Sequence, residues 1–235
     1  MSYPDHELCT GADFCHEISG TRDVTFHRVY AGRPASRRII TTDLFVLIAD
    51  LSPLTVGHLL LLPKAHYLSF AQVTRRELSA LIDILDLILP RYTRTFGTPP
   101  VIMEHGSSRN YDHNACITHA HWHLVPLNGD QIAGFIRLDG LPETVLSDIG
   151  TLGQEAWTET SYYLAAYDGV LHLYRPQPTL RRQYVRSVIG RCLGMRDPEW
   201  DYAVIVRHHL LRETLAMTAS WANPRPHTTD HQLWA

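Results

Sequence analysis

Three histidines occupy alternate positions in the apolar segment 118–127: His119, His121 and His123. In a β-strand, successive side chains point to opposite faces of the sheet, so these imidazoles would form a row on one face. Neighbours in the row would lie ~6.6 Å apart along the strand, and the outer two ~13 Å apart. One metal ion could bind two of them but hardly all three, although a His-x-His pair with a third ligand is a real zinc arrangement.

Such a row can hold a metal, lie on an ordinary strand face, or supply a nucleophile. The chain contains 15 histidines and places His58, His66, His105 and His113 near the same predicted elements, which disfavours the ordinary strand face. Neutral imidazoles bonded to carbonyls and to one another would have fixed tautomers, with one nitrogen lone pair left exposed. The pattern therefore favours phosphoryl or nucleotidyl transfer to a histidine.

The composition limits the classes of partner. With 235 residues, 45% of them hydrophobic, the chain can form one large domain or two small ones. A net charge of −3 gives no field that would attract long nucleic acid, so the composition disfavours such a partner and leaves small anionic ligands open. No apolar run approaches the ~20 residues that span a membrane, and the first residues lack a signal pattern. Four irregularly spaced cysteines are typical of a reducing compartment, so we expect a cytoplasmic protein.

The elements that precede the histidines predict an α+β fold with one main helix on an antiparallel sheet. Apolar runs at 43–50 and 58–63 predict two buried strands, and 101–103 predicts a third. Between them, Thr74 and Glu77 form a capping-box pattern, which predicts a helix that continues until Pro90 kinks or stops it. The histidine segment follows as a further strand, so we expect residues 1–128 to form a catalytic domain.

The rest of the chain predicts a smaller α+β region. Residues 129–160 are irregular and predict a linker, residues 161–222 predict a hairpin plus helices, and 223–235 predict a flexible tail. Asp168-Gly169 is typical of a two-residue hairpin turn. Arg181, Arg182 and Arg186 follow in a predicted helix. Their side chains could form a solvated face, pack on the sheet or at a dimer contact, or reach from a lid to an anionic leaving group.

A resemblance to a known family extends over roughly residues 9–127. The segment HAHWHLV, residues 119–125, resembles the His-x-His-x-His signature of the histidine triad superfamily, which comprises nucleotide hydrolases and transferases. Upstream, IADLSPLTVGHLLLLPKAH is similar to the family's acidic residue, Gly-His, apolar strand and Pro-Lys-x-His. The segment FCHEISG, residues 14–20, resembles its opening segment. Three motifs in the same order make the resemblance specific.

The resemblance implies roles for particular residues. His121 would attack the α-phosphorus, while His119 and His123 would orient it and bond the phosphate. Asp50 would bond the ribose hydroxyls, and His66 would lie near the phosphate. Further substrate contacts are assigned to two residues of the segment before the triad, Ser107 and Cys116.

The resemblance also implies a structural zinc, and no other cofactor. Its ligands would be Cys9, Cys15, His66 and His119, although Cys9 precedes Cys15 by six residues where the family has three. Such a site would leave His121 free for chemistry.

The implied activity is hydrolysis of a nucleoside phosphoramidate, a nucleotidyl ester or a dinucleoside polyphosphate, with release of a nucleoside monophosphate. A histidine at position 123, where the transferase branch has glutamine, favours the hydrolase branch. A nucleotide-like antibiotic is a further candidate substrate. The alternatives are a nucleotidyl or phosphorolytic transferase and a non-catalytic nucleotide- or zinc-binding module. A homodimer is a candidate assembly.

Overall fold

The protein is described by a computed structural model over residues 11–21, 23–107, 119–155, 161–177 and 181–222. Its described strands form one sheet in the order β1-β2-β3-β5-β4-β7-β8-β6. All neighbouring strands in this sheet are antiparallel. The strands are β1 (Arg38–Thr41), β2 (Phe45–Ala49), β3 (Leu59–Pro63), β4 (Val101–Gly106), β5 (Trp122–Val125), β6 (Glu143–Leu146), β7 (Tyr162–Tyr167) and β8 (Val170–Tyr174).

Helices cover both faces of the sheet. They are α1 (Asp13–Ile18), α2 (Thr25–Tyr30), α3 (Phe70–Phe96), α4 (Gly129–Leu138), α5 (Leu152–Glu155), α6 (Tyr184–Cys192) and α7 (His208–Met217), with 3₁₀ turns at Ile149–Thr151 and Ala219–Ala222. The predicted α+β class, an antiparallel sheet with one long helix, is confirmed. Among the described residues, no helix has the length and apolar composition needed to cross a bilayer.

Helix α3 is the long helix, and it differs from the sequence prediction at its start and at Pro90. The helix begins at Phe70, so Thr74 does not cap it. Glu77 has a non-helical conformation, and its Oε1 accepts a hydrogen bond from the Tyr67 hydroxyl at 2.7 Å. Pro90 lies inside the helix and does not stop it. A mid-helix proline costs ~3 kcal/mol. Continued burial of the apolar side chains around it, Ile88, Leu89 and Tyr92, offsets that cost.

The two faces of the sheet have different partners. One face contributes alternate strand residues such as Leu47, Leu61 and Trp122 to the core that contains the apolar side of α3. On the other face, Ile48 and Leu60 pack with Phe14 of α1. Elsewhere on that second face, β4, β5 and β7 form a separate apolar cluster with α4 and α6. The residues between these two clusters therefore lie between α1 and α6.

The C-terminal hairpin continues the same sheet. The turn predicted at Asp168-Gly169 is present, with φ values of 51° and 74° that suit a two-residue hairpin. Strand β7 pairs with β4 through the register Ile102↔Ala166 to Gly106↔Tyr162. Strands on the two sides of the predicted boundary at residue 128 therefore share one ladder.

The prediction of an irregular linker over 129–160 is wrong for most of this stretch. Residues 129–138 form α4, whose first turn is capped by the Asn128 side chain accepting from the Gln131 amide at 2.9 Å. Strand β6 pairs with β8 at the edge of the sheet. The apolar positions of α4 have helical spacing, Ile132, Ala133 and Ile136, but the glycines around them obscured the pattern. The predictions for residues 1–10 and for the tail 223–235 lie outside the described residues.

Candidate active site

The triad histidines lie where β5 begins, on the sheet face opposite α3. Only His123 is inside the strand, where it is paired with Leu60 of β3 and Met103 of β4. His121 comes just before the strand, and its ring lies 5.0 Å from that of His123. Both line one cavity between α1 and α6. His119 does not line this cavity, so the structure separates the predicted row into a pair and a third histidine.

A main-chain carbonyl fixes the tautomer of His121. Its Nδ1 lies 2.9 Å from the carbonyl oxygen of His119. Because a carbonyl only accepts, Nδ1 carries the proton and Nε2 has the lone pair. Burial lowers the pKa of His121, which favours the neutral ring. A neutral imidazole with a free Nε2 is the form that can attack phosphorus.

His123 has the opposite arrangement, which is set by His58. The Leu54 amide donates to His58 Nδ1 at 3.3 Å, so the proton of His58 is on Nε2. That Nε2 donates to His123 Nδ1 at 2.9 Å, which places the His123 proton on Nε2. Burial lowers the pKa of His58 to about 4 and that of His123 well below its usual value. His123 therefore contributes an N–H donor, while His121 contributes a lone pair.

Asp50 is in the same cavity, but one of its oxygens already has protein partners. Its Oδ1 accepts from Arg186 Nη1 and from the Ser52 amide, both at 2.8 Å. Burial alone would raise the pKa of Asp50, but Arg186 and the neighbouring histidines hold it well below its usual range. Asp50 is therefore ionised, and its Oδ2 is 3.9 Å from His58 Nε2.

The arginines of α6 and the segment before it have different environments. The prediction of a solvated helix face is wrong for Arg186. This side chain is buried and also donates to the carbonyls of Ser52 and Trp200. With the bond to Asp50, each of the three guanidinium nitrogens of Arg186 donates to a protein acceptor. Arg181 is half-exposed and pairs with Asp197 at 2.8 Å, and Arg182 is exposed.

His105 and Arg37 are among the cavity residues that were not assigned from the sequence. His105, in β4, lines the cavity with its ring 4.9 Å from that of Tyr163, and burial lowers its pKa to about 4. Arg37, the residue immediately before β1, also lines the cavity and forms a buried ion pair with Glu17 at 2.6 Å. His105 follows a predicted strand, which is a weak signal. Nothing in the sequence pairs Arg37 with Glu17.

A second group brings together three of the four predicted zinc ligands. Cys15 Sγ lies 3.2 Å from His66 Nδ1 and 3.1 Å from His119 Nδ1. Tetrahedral zinc would separate such S and N atoms by ~3.5 Å, so a small expansion would admit the ion. His119 Nε2 donates to the Pro63 carbonyl at 2.8 Å, which leaves the Nδ1 lone pair facing Cys15. These residues fit zinc, and Cys9 lies outside the described residues.

Two other assigned substrate contacts, His66 and Ser107, are not among the described residues that line the cavity. His66 faces Cys15 and His119, so its metal role and its phosphate role compete. Ser107 is buried, and its amide donates to the Leu68 carbonyl at 3.2 Å. Cys116 lies outside the described residues.

Residues 32–130 match the HIT domain, which supports membership of this segment of the chain in the histidine triad superfamily. A curated relative is adenylylsulfatase HINT3 of Arabidopsis thaliana, 24% identical over 106 residues. The match covers 44% of this chain and 52% of the relative, so the chain spans about half the length of that relative.

Solved structures of this family are also similar. A HIT-like protein involved in cell-cycle regulation from Bartonella henselae is 18% identical, over 45% of this chain and 80% of that chain, with a TM-score of 0.33. A zinc-bound histidine triad family protein from Mycobacterium smegmatis is 23% identical, over 49% of this chain and 74% of that chain, with a TM-score of 0.36.

Proposed function

We propose that the protein is a nucleotide hydrolase that acts through a nucleotidyl group on His121. The observation that carries this proposal is the tautomer of His121, whose Nδ1–H is bonded to the His119 carbonyl while Nε2 is left with its lone pair. The Nε2–H of His123, in the same cavity, would stabilise charge on a phosphate oxygen. A neutral nucleophile beside a fixed donor suits displacement at phosphorus.

The reaction would have two balanced steps. In the first, His121 Nε2 attacks the α-phosphorus, a P–N bond to His121 forms, and the bond to the leaving group breaks. The leaving group departs with the electron pair and takes up a proton. In the second, water attacks the phosphorus, the bond to His121 breaks, and the nucleoside monophosphate is released with the neutral imidazole restored.

The charges of the described cavity favour one part of the candidate substrate range. Arg37 and Arg186 are the arginines that line it, and each is paired with a buried carboxylate, Glu17 and Asp50. The pairs contribute no net positive charge. A phosphoramidate or nucleotidyl ester carries one negative charge at the reacting phosphorus, so it fits better than a dinucleoside polyphosphate with several.

A substrate panel followed by mass spectrometry tests the proposal. It should include adenosine phosphoramidate, aminoacyl and aryl esters of AMP, a dinucleoside polyphosphate and adenylyl sulfate, the last because HINT3 is named an adenylylsulfatase. We expect AMP from at least one of them. The change His121→Asn should lower that turnover by about 10³-fold or more. The exposed His209 provides a matched control, His209→Asn, which should keep full activity.

The same assay separates the alternatives. Product that contains phosphate added to the reaction would identify a phosphorolytic transferase. Normal turnover by His121→Asn would contradict the nucleophile assignment. No turnover on the whole panel would contradict an enzyme of this class and favour a binding module.

We also propose a structural zinc held by Cys15, His66 and His119, with Cys9 as the candidate fourth ligand. Its support is the convergence of three donors from α1, the segment after β3 and the start of β5. Zinc at this place would join α1, whose Phe14 lines the catalytic cavity, to the segment that positions His121.

The cytoplasm is the proposed location, on the ground of the few cysteines in the chain. A homodimer is the proposed assembly. Because β4 pairs with β7 of the same chain, a dimer that extended the described sheet would have to use β1 or β6, the outer strands. Light scattering during size-exclusion chromatography measures the mass.

A further inference from the structure

We propose that Gln183 is a specificity residue whose side-chain oxygen accepts a hydrogen bond from an N–H group of the substrate. This inference rests on the proposed function and adds the chemistry of a second part of the substrate. Gln183 immediately precedes α6, and it lines the cavity that contains His121 and His123. The motifs of the HIT domain, residues 32–130, do not include Gln183, because it belongs to the C-terminal region.

The orientation of the Gln183 amide is fixed. Its Nε2 donates to Asp201 Oδ1 at 2.8 Å, and a carboxylate can only accept, so Oε1 is the opposite atom. Asp201 Oδ1 is itself held by the Ala203 amide at 2.8 Å. Oε1 is shielded from solvent and has no hydrogen-bond partner among the described residues. A shielded acceptor without a partner is unfavourable until a ligand supplies a donor.

The backbone of Gln183 is also unusual. Its φ of 53° and ψ of 38° lie in the left-handed region, which residues other than glycine seldom adopt. Such conformations persist where the surrounding structure holds them, and they concentrate at functional sites. Position 183 carries a glutamine at the cavity wall, although a glycine would adopt this conformation without strain.

The cavity indicates the class of donor. Asp50 is a charged acceptor that suits hydroxyl groups, whereas a neutral amide oxygen suits an uncharged N–H. Tyr184 and Tyr202 also line the cavity. Two parts of the substrate could present the N–H group: the amino group of a nucleobase, or an amine leaving group.

Binding and kinetics distinguish the two sources. In the first arm, calorimetry compares AMP with purine riboside 5′-monophosphate, which lacks the amino group. In the second, kcat/KM is compared for an amine-linked nucleotide and the matching phenyl ester. We expect wild-type protein to prefer the N–H partner by about five- to tenfold in one arm, the size of a neutral hydrogen bond. Gln183→Met should reduce that ratio to about one.

Two further variants make the result decisive. Gln183→Gly relieves the left-handed conformation and should fold, yet it should lose the same ratio. Gln177 bonds the Gly140 carbonyl at an exposed position, so Gln177→Met is a matched control that should keep the ratio. Equal losses for both members of a pair, or an unchanged ratio in both arms, would overturn the inference. Absence of turnover with intact selective binding would overturn only the proposed hydrolysis.

Discussion

The tautomers of His121 and His123, the two triad histidines in the cavity, are traced to main-chain groups. The carbonyl of His119 holds the proton of His121 on Nδ1, and the amide of Leu54 determines the proton of His123 through His58. Neutral histidines have two tautomers of similar energy, so this fixing decides which ring would attack and which would donate in the proposed reaction. His58 does not line the cavity and acts through His123, so it is a positioning residue in the proposed mechanism.

Replacement of His58 tests this positioning. In His58→Phe, nothing donates to His123 Nδ1, so we expect kcat to fall by about 10²-fold with little change in KM. His58→Gln keeps an N–H donor and should recover part of the loss. Because His58 is fully buried, the melting temperature of each variant must be measured beside its kinetics. Equal kcat for the two variants would contradict a role through the tautomer of His123.

At the scale of elements, α1 and α6 enclose the cavity from opposite sides. Helix α6 is joined to the end of β2 by the pair Arg186–Asp50 at 2.8 Å, with both side chains buried. Helix α1 is joined to the triad segment by Cys15, which contacts His66 and His119. Each connection depends on groups that are costly to bury alone.

Arg186→Met should destabilise the protein by about 3–5 kcal/mol, because it leaves Asp50 buried without its partner. Urea unfolding measures this change. Adding Asp50→Asn should recover part of it. The exposed pair of Arg181 supplies the control Arg181→Met, with an expected change of less than ~1 kcal/mol.

The same pair predicts an acid dependence. The pKa of Asp50 is lowered in the folded state, so its stabilising contribution is present above the ordinary carboxyl value of 3.8 and is lost as the pH falls below it. The free energy of unfolding of Arg186→Met should therefore decrease less steeply with falling pH, in the acid range, than that of the wild type. Equal slopes for the two proteins would mean that Arg186 does not set the ionisation of Asp50.

Zinc analysis tests the connection at α1. We expect purified protein to contain close to one zinc per chain by elemental analysis, and chelation to lower its melting temperature because metal binding contributes folding free energy. Cys15→Ser should reduce the zinc content, whereas Cys192→Ser, outside the cluster, should not. Metal-free wild-type protein with the same stability and activity would remove zinc from the proposal.

At the scale of the whole molecule, Glu104 connects the triad half to the C-terminal half. This fully buried carboxyl group accepts from the Phe70 amide, from Trp122 Nε1 and from the Tyr162 hydroxyl. These donors belong to α3, β5 and β7, and Trp122 separates His121 from His123. Burial without a paired cation raises the pKa of Glu104 to about 7, although the three hydrogen bonds act in the other direction.

Glu104 should therefore make stability fall with rising pH. Because its folded-state pKa is raised, its contribution is fully present below the ordinary value of 4.5 and is lost as the pH rises through about 7. The expected loss is roughly 3 kcal/mol. Unfolding free energies between pH 4.5 and 8 should show this slope in wild type and not in Glu104→Gln. The glutamine cannot accept all three bonds, so only the slopes are compared.

Local sequence signals predicted the candidate histidines and several of the elements that surround them. Alternation around His119, His121 and His123, apolar runs and the Asp-Gly turn depend on near neighbours. These signals predicted β2, β3, β4, the long helix and the hairpin. They failed where burial overrode local preference, as at Pro90, and where glycines masked a short helix, as in α4.

Tertiary structure alone decided which groups meet in the cavity. Arg186 reaches Asp50 across 136 positions of the chain, and His58 reaches His123 across 65. Likewise, β7 covers the edge of β4, and Gln183 lines the same cavity as His121 because α6 packs on that side of the sheet. A periodic pattern specifies which face of an element is buried, but not which distant element covers it. The triad could therefore be predicted from its own residues. The charge balance of its cavity, the tautomers of its histidines and the place of Gln183 in its wall could not.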